Sequence, residues 1–174
     1  MRTKIIFIDI DGPLAYDTFD KGKVEIGKGT LSEFTIPYAW VQSDCDALFE
    51  IIKQTGAKLV VSSDWRRYYG IMQLSAIFEH YGIGRWEILD ITSHFNPRRK
   101  LSSTLEWDRA CEIHSWVKSY KPINWISIDD LYLQNAYKSL KIPQWHSVYV
   151  DGCTGDYASL TSKVDECISK LNRN

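Results

Sequence analysis

The chain has 174 residues, a formal net charge of −1, 44% hydrophobic and 25% charged side chains. That length suits one domain, residues 1–174, with a real core and a single active site, and it is short for two. No apolar run approaches the ~20 residues of a membrane helix, and the near-neutral charge excludes any general attraction to nucleic acid, leaving such binding to a local basic patch.

The amino-terminal residues begin basic, but the apolar run Ile5-Ile6-Phe7-Ile8 leads into Asp9 and Asp11 with no small-residue cleavage site, so it reads as a first strand and not a secretory signal. Further short β-branched or apolar runs follow at Lys58 to Val61, Trp86 to Ile91, Asn124 to Ile128 and Ser147 to Val150. Helical spacing separates them. One apolar face runs through Cys45, Leu48, Phe49 and Ile52, and a second through Leu74, Ile77, Phe78 and Tyr81. Others follow at Ile113, Trp116, Val117 and Tyr120, then at Leu133, Ala136, Tyr137 and Leu140. A last helix, starting near Ser159 to Ser162, buries Leu160, Val164, Ile168 and Leu171.

Strand and helix in alternation predict an α/β three-layer sandwich, Rossmann-like, with a mostly parallel five-stranded sheet. Such sheets bind ligands at the carboxyl ends of their strands. The stretch from about residue 13 to 38, rich in glycine and polar residues, is too long for an ordinary βα loop and predicts a hairpin-like flap or lid. Cys45, Cys111, Cys153 and Cys167 lack the spacing of a zinc site and read as reduced thiols of a cytoplasmic protein.

Chemistry-bearing residues gather at the predicted strand ends. The first run closes on Asp9-Ile10-Asp11-Gly12, two crowded carboxylates whose repulsion a hard cation such as magnesium would relieve, although an Asp-Gly turn alone would read the same way. The second ends in Ser62-Ser63-Asp64, hydroxyls that suit a phosphoryl oxygen or, equally, the cap of the next helix. The fourth ends in Asp129-Asp130, a second acidic pair or an acidic helix start. Independent capping gives no reason for acids, hydroxyls and acids to end three strands whose termini converge. Trp65-Arg66-Arg67-Tyr68-Tyr69 and Arg98-Arg99-Lys100 follow strands two and three, where arginine and aromatic faces could hold a nucleotide's phosphate and base.

These residues resemble the haloacid dehalogenase (HAD) superfamily. Its motifs are a strand ending Asp-x-Asp-Gly, a strand ending in Ser or Thr, a basic residue at a helix start and a strand ending in acids. Asp9 with Asp11, Ser62, and Asp129 with Asp130 match three in order, and Arg109 and Lys100 are candidates for the basic one. The stretch Arg109-Ala110-Cys111-Glu112-Ile113 through Trp116-Val117 is similar to a small-cap branch that includes the phosphatase-like domain of Swiss-army-knife RNA-repair proteins. Ser62-Ser63 before Trp65-Arg66, and Val150-Asp151 before Ser159-Leu160-Thr161, extend that likeness from Ile5 to Thr161. Two departures are an arginine at 109 where many members carry lysine, and Pro13, which lacks a backbone donor near the phosphate site.

The resemblance implies a Mg²⁺-dependent phosphatase in which Asp9 attacks a phosphate monoester and Asp11 moves the protons. Asp9, Asp11 and Asp130 would hold the metal, the second through its backbone carbonyl, with Asp129 behind them. Ser62 and Arg109 or Lys100 would take phosphoryl charge, while Ser63, Trp65, Arg66 and Arg67 would contact a nucleotide or a phosphorylated nucleic-acid end. The rival readings are a phosphoacceptor signalling domain, which would enlist Asp90, and a non-hydrolytic binding module on the same fold.

Overall fold

A computed structural model describes residues 3–16, 22–29, 33–93, 104–151 and 159–173. Five strands, β1 (Lys4–Ile8), β4 (Lys58–Val61), β5 (Ile88–Ile91), β6 (Asn124–Asp129) and β7 (Ser147–Tyr149), form one sheet in the order β5-β4-β1-β6-β7. Every pairing is parallel. Helices α1 (Gln42–Thr55), α2 (Ile71–His80), α3 (Leu105–Tyr120), α4 (Gln134–Ser139) and α5 (Val164–Leu171) supply the two outer layers, and β2 (Val24–Ile26) and β3 (Phe34–Ile36) make a separate antiparallel hairpin. The three-layer α/β sandwich expected from the alternation is thus what the chain forms.

β1 is apolar at every position but its first because it lies mid-sheet with both faces covered. Ile6 and Ile8 pack with Leu48, Ile51, Ile77 and Leu171 on one side, and Ile5 and Phe7 with Ile113, Trp116 and Tyr137 on the other. Registry then sets the site. Ile8 pairs with Val61 of β4 and Ile128 of β6, and Val61 with Ile91 of β5. The next residue of each strand, Asp9, Ser62, Thr92 and Asp129, therefore falls in one row along the carboxyl edge. The chain reverses its strand order beside β1, so this row straddles the topological switch point where α/β sheets bind ligands.

Local details depart from the periodicity. Trp86 belongs to a 3-10 turn, Arg85–Glu87, ahead of β5 and is 83% exposed, so the strand starts at Ile88. Phe49 and Tyr120 lie on the expected apolar faces of α1 and α3 yet stand exposed, Tyr120 with its ring stacked on Trp116 at 4.2 Å between centroids. The last helix begins as a 3-10 turn, Leu160–Lys163, and buries Cys167 together with Leu160 and Leu171. Cys45, Cys111 and Cys167 are free thiols, and Cys153 lies outside the described residues. Among the described residues no helix is long and apolar enough to cross a membrane.

The region between β1 and α1 carries the β2–β3 hairpin, the form expected of the flap. Buried Ile26 and Ile36 tie it to the main core, and Phe34 rests 5.9 Å, centroid to centroid, from Tyr69. Its last strand leads to Tyr38, which returns the chain to the sheet edge.

Candidate active site

Asp9 is the centre of the carboxyl edge. Its backbone N–H donates to the Ile128 carbonyl at 2.9 Å, which fixes it between β1 and β6, and its Oδ1 accepts from the Ile10 N–H at 2.8 Å. Its other oxygen, Oδ2, meets Arg109 Nη1 at 2.9 Å. The same nitrogen donates to Asp129 Oδ2 at 2.6 Å, so one guanidinium on α3 bridges two buried acids from neighbouring strands. Thr104 caps α3 by accepting from the Trp107 N–H at 3.3 Å, which places Arg109 in the second turn, pointing back to the sheet.

Asp9, Asp129 and Asp130 offer carboxylate oxygens all within 4.8 Å of one another. Burial pushes Asp130 up to about 6, with the negative charge of Asp9 adding to the effect. Burial likewise raises Asp129 well above the ordinary range, against the pull of Arg109. Burial alone would lower Arg109, but the negative charges of Asp129 and Asp9 more than reverse this and hold it above the ordinary guanidinium range. Three crowded acids share one guanidinium, so the cluster carries surplus negative charge that a small divalent cation would neutralise. Hard oxygen donors of this kind fit magnesium. Both oxygens of Asp129 already accept hydrogen bonds, Oδ1 from the Leu131 N–H at 3.0 Å and Oδ2 from Arg109, whereas Asp130 is the most open of the three.

Gly12 is what lets Asp130 approach. It sits at φ +88°, and a Cβ built there would lie 2.5 Å from the Asp130 Cβ, far inside contact distance. The Gly12 N–H is spent on the Ala15 carbonyl at 2.8 Å, closing the tight turn through Pro13. The loop after the first strand therefore keys into the acids of the fourth by shape.

Asp11 points elsewhere. Its Oδ1 accepts from Tyr38 Oη at 2.5 Å and from Trp65 Nε1 at 2.9 Å, away from the three-acid cluster. Two carboxylates on one strand end are thus sorted by their partners, one toward a cationic centre and one toward the flap.

The other expected residues divide. Ser62 is buried in the row, with its hydroxyl accepting from Thr92 Oγ1 at 3.3 Å. Ser63 caps the 3-10 turn Asp64–Arg67 by accepting from the Trp65 N–H at 3.4 Å, the role that capping alone would have required. Arg67 is exposed and pairs with Asp64 at 3.2 Å. Arg66 is buried, with Nη1 donating to the Ser63 carbonyl and Nη2 paired with buried Glu112 on α3. Lys100 lies outside the described residues, as do Arg98 and Arg99, while Arg109 is at the cluster. Asp90 accepts from Trp116 Nε1 at 2.7 Å and is not among the clustered acids.

Glu112 and Tyr38 were missed as contributors. The Arg109-x-x-Glu112 spacing was a usable signal for the first, since residues three apart on a helix share a face. Arg66→Ala is expected to destabilise the fold by about 3 kcal/mol, because it removes the guanidinium facing buried Glu112. Denaturant unfolding checks this, and unaltered stability with a changed substrate ranking would return Arg66 to substrate contact.

Comparison with curated proteins and with solved structures gives no match. A family model described as the HAD domain in Swiss Army Knife RNA repair proteins matches residues 5–155, most of the chain and all of the site above. With the all-parallel sheet, the acids at the ends of β1 and β6 and the basic residue on α3 in place, the chain belongs to that HAD family.

Proposed function

We propose that this protein is a magnesium-dependent phosphomonoester hydrolase, one catalytic domain with the hairpin as its cap, acting on nucleotides or phosphorylated nucleic-acid ends through a phosphorylated Asp9. The observation that carries the reading is the placement of Asp9 Oδ2 beside a buried guanidinium and two further acids at the switch point of the sheet. The family description supports a phosphorylated substrate, and its mention of RNA repair favours a nucleic-acid end.

Asp9 would attack phosphorus, forming one O–P bond as the bond to the leaving oxygen breaks. Asp11, held off the cluster by Tyr38 and Trp65, would give its proton to that leaving oxygen. In the second step Asp11 would take a proton from water as the water's oxygen bonds to phosphorus, releasing Asp9 and phosphate. Arg109 and the Ser62 hydroxyl would stabilise charge on the phosphoryl oxygens. Asp9, Asp130 and the Asp11 backbone carbonyl would hold a magnesium ion, with Asp129 oriented behind them, and the ion supplies the positive charge that lets a dianionic ester approach these acids.

Hydrolysis of 4-nitrophenyl phosphate tests the reading. Turnover is expected with magnesium and is expected to fall more than 100-fold with chelator. Protonation of Asp130 competes with the ion, so apparent magnesium affinity is expected to weaken below about pH 6, by up to about tenfold per unit. Undiminished turnover in chelator would overturn the metal's role. Stable phosphorylation by a small phosphodonor without ester turnover would favour the signalling alternative.

A further inference from the structure

Between the β2–β3 hairpin and the 3-10 turn after β4 lies a cleft of about 450 Å³ lined by Tyr38, Trp65, Tyr68 and Tyr69, with Asp11 in its wall. That volume is in the range of small-ligand sites. The rings are set against one another, with Trp65 and Tyr69 tilted at 32° with centroids 5.4 Å apart and Tyr38 edge-on to Trp65 at 5.7 Å. Tyr68 is 80% exposed, a large ring kept at the rim although its neighbour Trp65 is buried. The polar lining includes Asp64, an acceptor suited to ring amino groups, and Lys23, a donor.

The cleft is joined to the proton donor. Tyr38 Oη and Trp65 Nε1 both donate to the same Asp11 oxygen, Oδ1. Two donors on one oxygen fix the orientation of the Asp11 carboxyl group. Tyr38 comes from the end of the flap and Trp65 from the turn after β4, so Asp11 has its full set of partners only when the two walls of the cleft are together.

We propose that this cleft is a leaving-group site for the planar base of a nucleoside phosphate, and that Tyr38 and Trp65 are positioning residues that aim Asp11 at the leaving oxygen of whatever the cleft holds. The inference rests on Asp11 acting as the proton donor. Stacked aromatic walls suit a flat π-face of any base, which makes recognition tolerant of base identity. Aromatic walls also pack sugar faces, and the comparison below separates the two.

The experiment measures kcat/KM, with magnesium, for a nucleoside 5′-monophosphate, ribose 5-phosphate and 4-nitrophenyl phosphate. Ribose 5-phosphate keeps the phosphate and sugar and lacks only the base. The wild-type protein is expected to prefer the nucleotide about tenfold or more, and Tyr68→Ala, a change at an exposed ring, to bring that ratio close to one. Tyr38→Phe keeps its ring and loses only the hydroxyl. It is expected to lower kcat more than it shifts KM, and to lower it several-fold more for the nucleotide than for 4-nitrophenyl phosphate, whose leaving group needs no proton. A wild-type ratio near one, a ratio untouched by Tyr68→Ala, or an equal loss on both esters in Tyr38→Phe would each overturn the proposal. Turnover of 4-nitrophenyl phosphate with a flat base-on to base-off ratio sinks the cleft alone. Absence of turnover on every ester sinks the phosphatase reading and the cleft's role together.

Discussion

Asp9→Asn is expected to lower turnover by on the order of 10⁵-fold or more, because the amide keeps the shape of the carboxylate and loses the nucleophile. The substitution is nearly isosteric. An Asn side chain can still accept from the Ile10 N–H through its amide oxygen, but its amide nitrogen then replaces the oxygen that meets Arg109 Nη1, and that contact is lost. After burial itself, Asp9 is the charge that pushes Asp130 upward most, so its removal is expected to bring Asp130 down from about 6 toward the ordinary carboxylate range. Carbon-detected NMR titration of the side-chain carboxyls reads that shift without reference to activity. Appreciable steady-state turnover in Asp9→Asn, with the Asp130 shift observed, would place the nucleophile elsewhere while leaving the electrostatics of the cluster as described.

Arg109→Ala is expected to cost about 10²–10³-fold in turnover, the scale of removing one charge-stabilising donor from a closed site. Stability is expected to fall as well, since Asp9 and Asp129 would face each other with no cation between them and one would have to take a proton. Both contacts leave from a single nitrogen, Nη1, and not from the two arms of the fork. An ammonium group can copy that pattern. Arg109→Lys is therefore expected to recover activity to within about tenfold of the wild type, in keeping with the lysine that many superfamily members carry at this motif. Kinetics of the Ala and Lys variants beside thermal unfolding check the point, and a Lys variant no better than Ala would show that the planar fork itself is required.

The sheet and its acidic edge were legible because they depend on features that survive without tertiary context. Ile5 to Ile8 is a continuous apolar run, which a strand buried on both faces requires, and Asp9, Ser62 and Asp129 fall one residue past runs of that kind. Arg66 was not legible in the same way. A basic residue after a strand looks identical whether it faces a substrate or a partner, and Glu112 stands 46 residues further along the chain. The contact between Tyr38 and Asp11 was equally hidden, because the flap's geometry comes from Ile26 and Ile36 entering the main core and not from any local turn signal. Trp86 shows a milder failure: an apolar residue beside a strand joins it only if hydrogen bonding reaches that far, and here a 3-10 turn intervenes.

The order of pairing about β1 bears on how the protein acquires its site in time. β1 pairs with β4 about fifty positions along the chain, but its other neighbour, β6, begins at Asn124. Closing so long a segment into a parallel pair carries a large entropy cost before any contact rewards it, which makes such pairings slow. Until β6 docks, Asp9 lacks the Ile128 carbonyl that fixes its backbone, and Asp129 and Asp130 are not beside it. A nascent or refolding chain therefore carries its acids apart, without the surplus charge that would gather a divalent ion, until the last long-range strand is in place. Competence to bind the ion is in this sense a late event, and it waits on the docking of β6 beside β1.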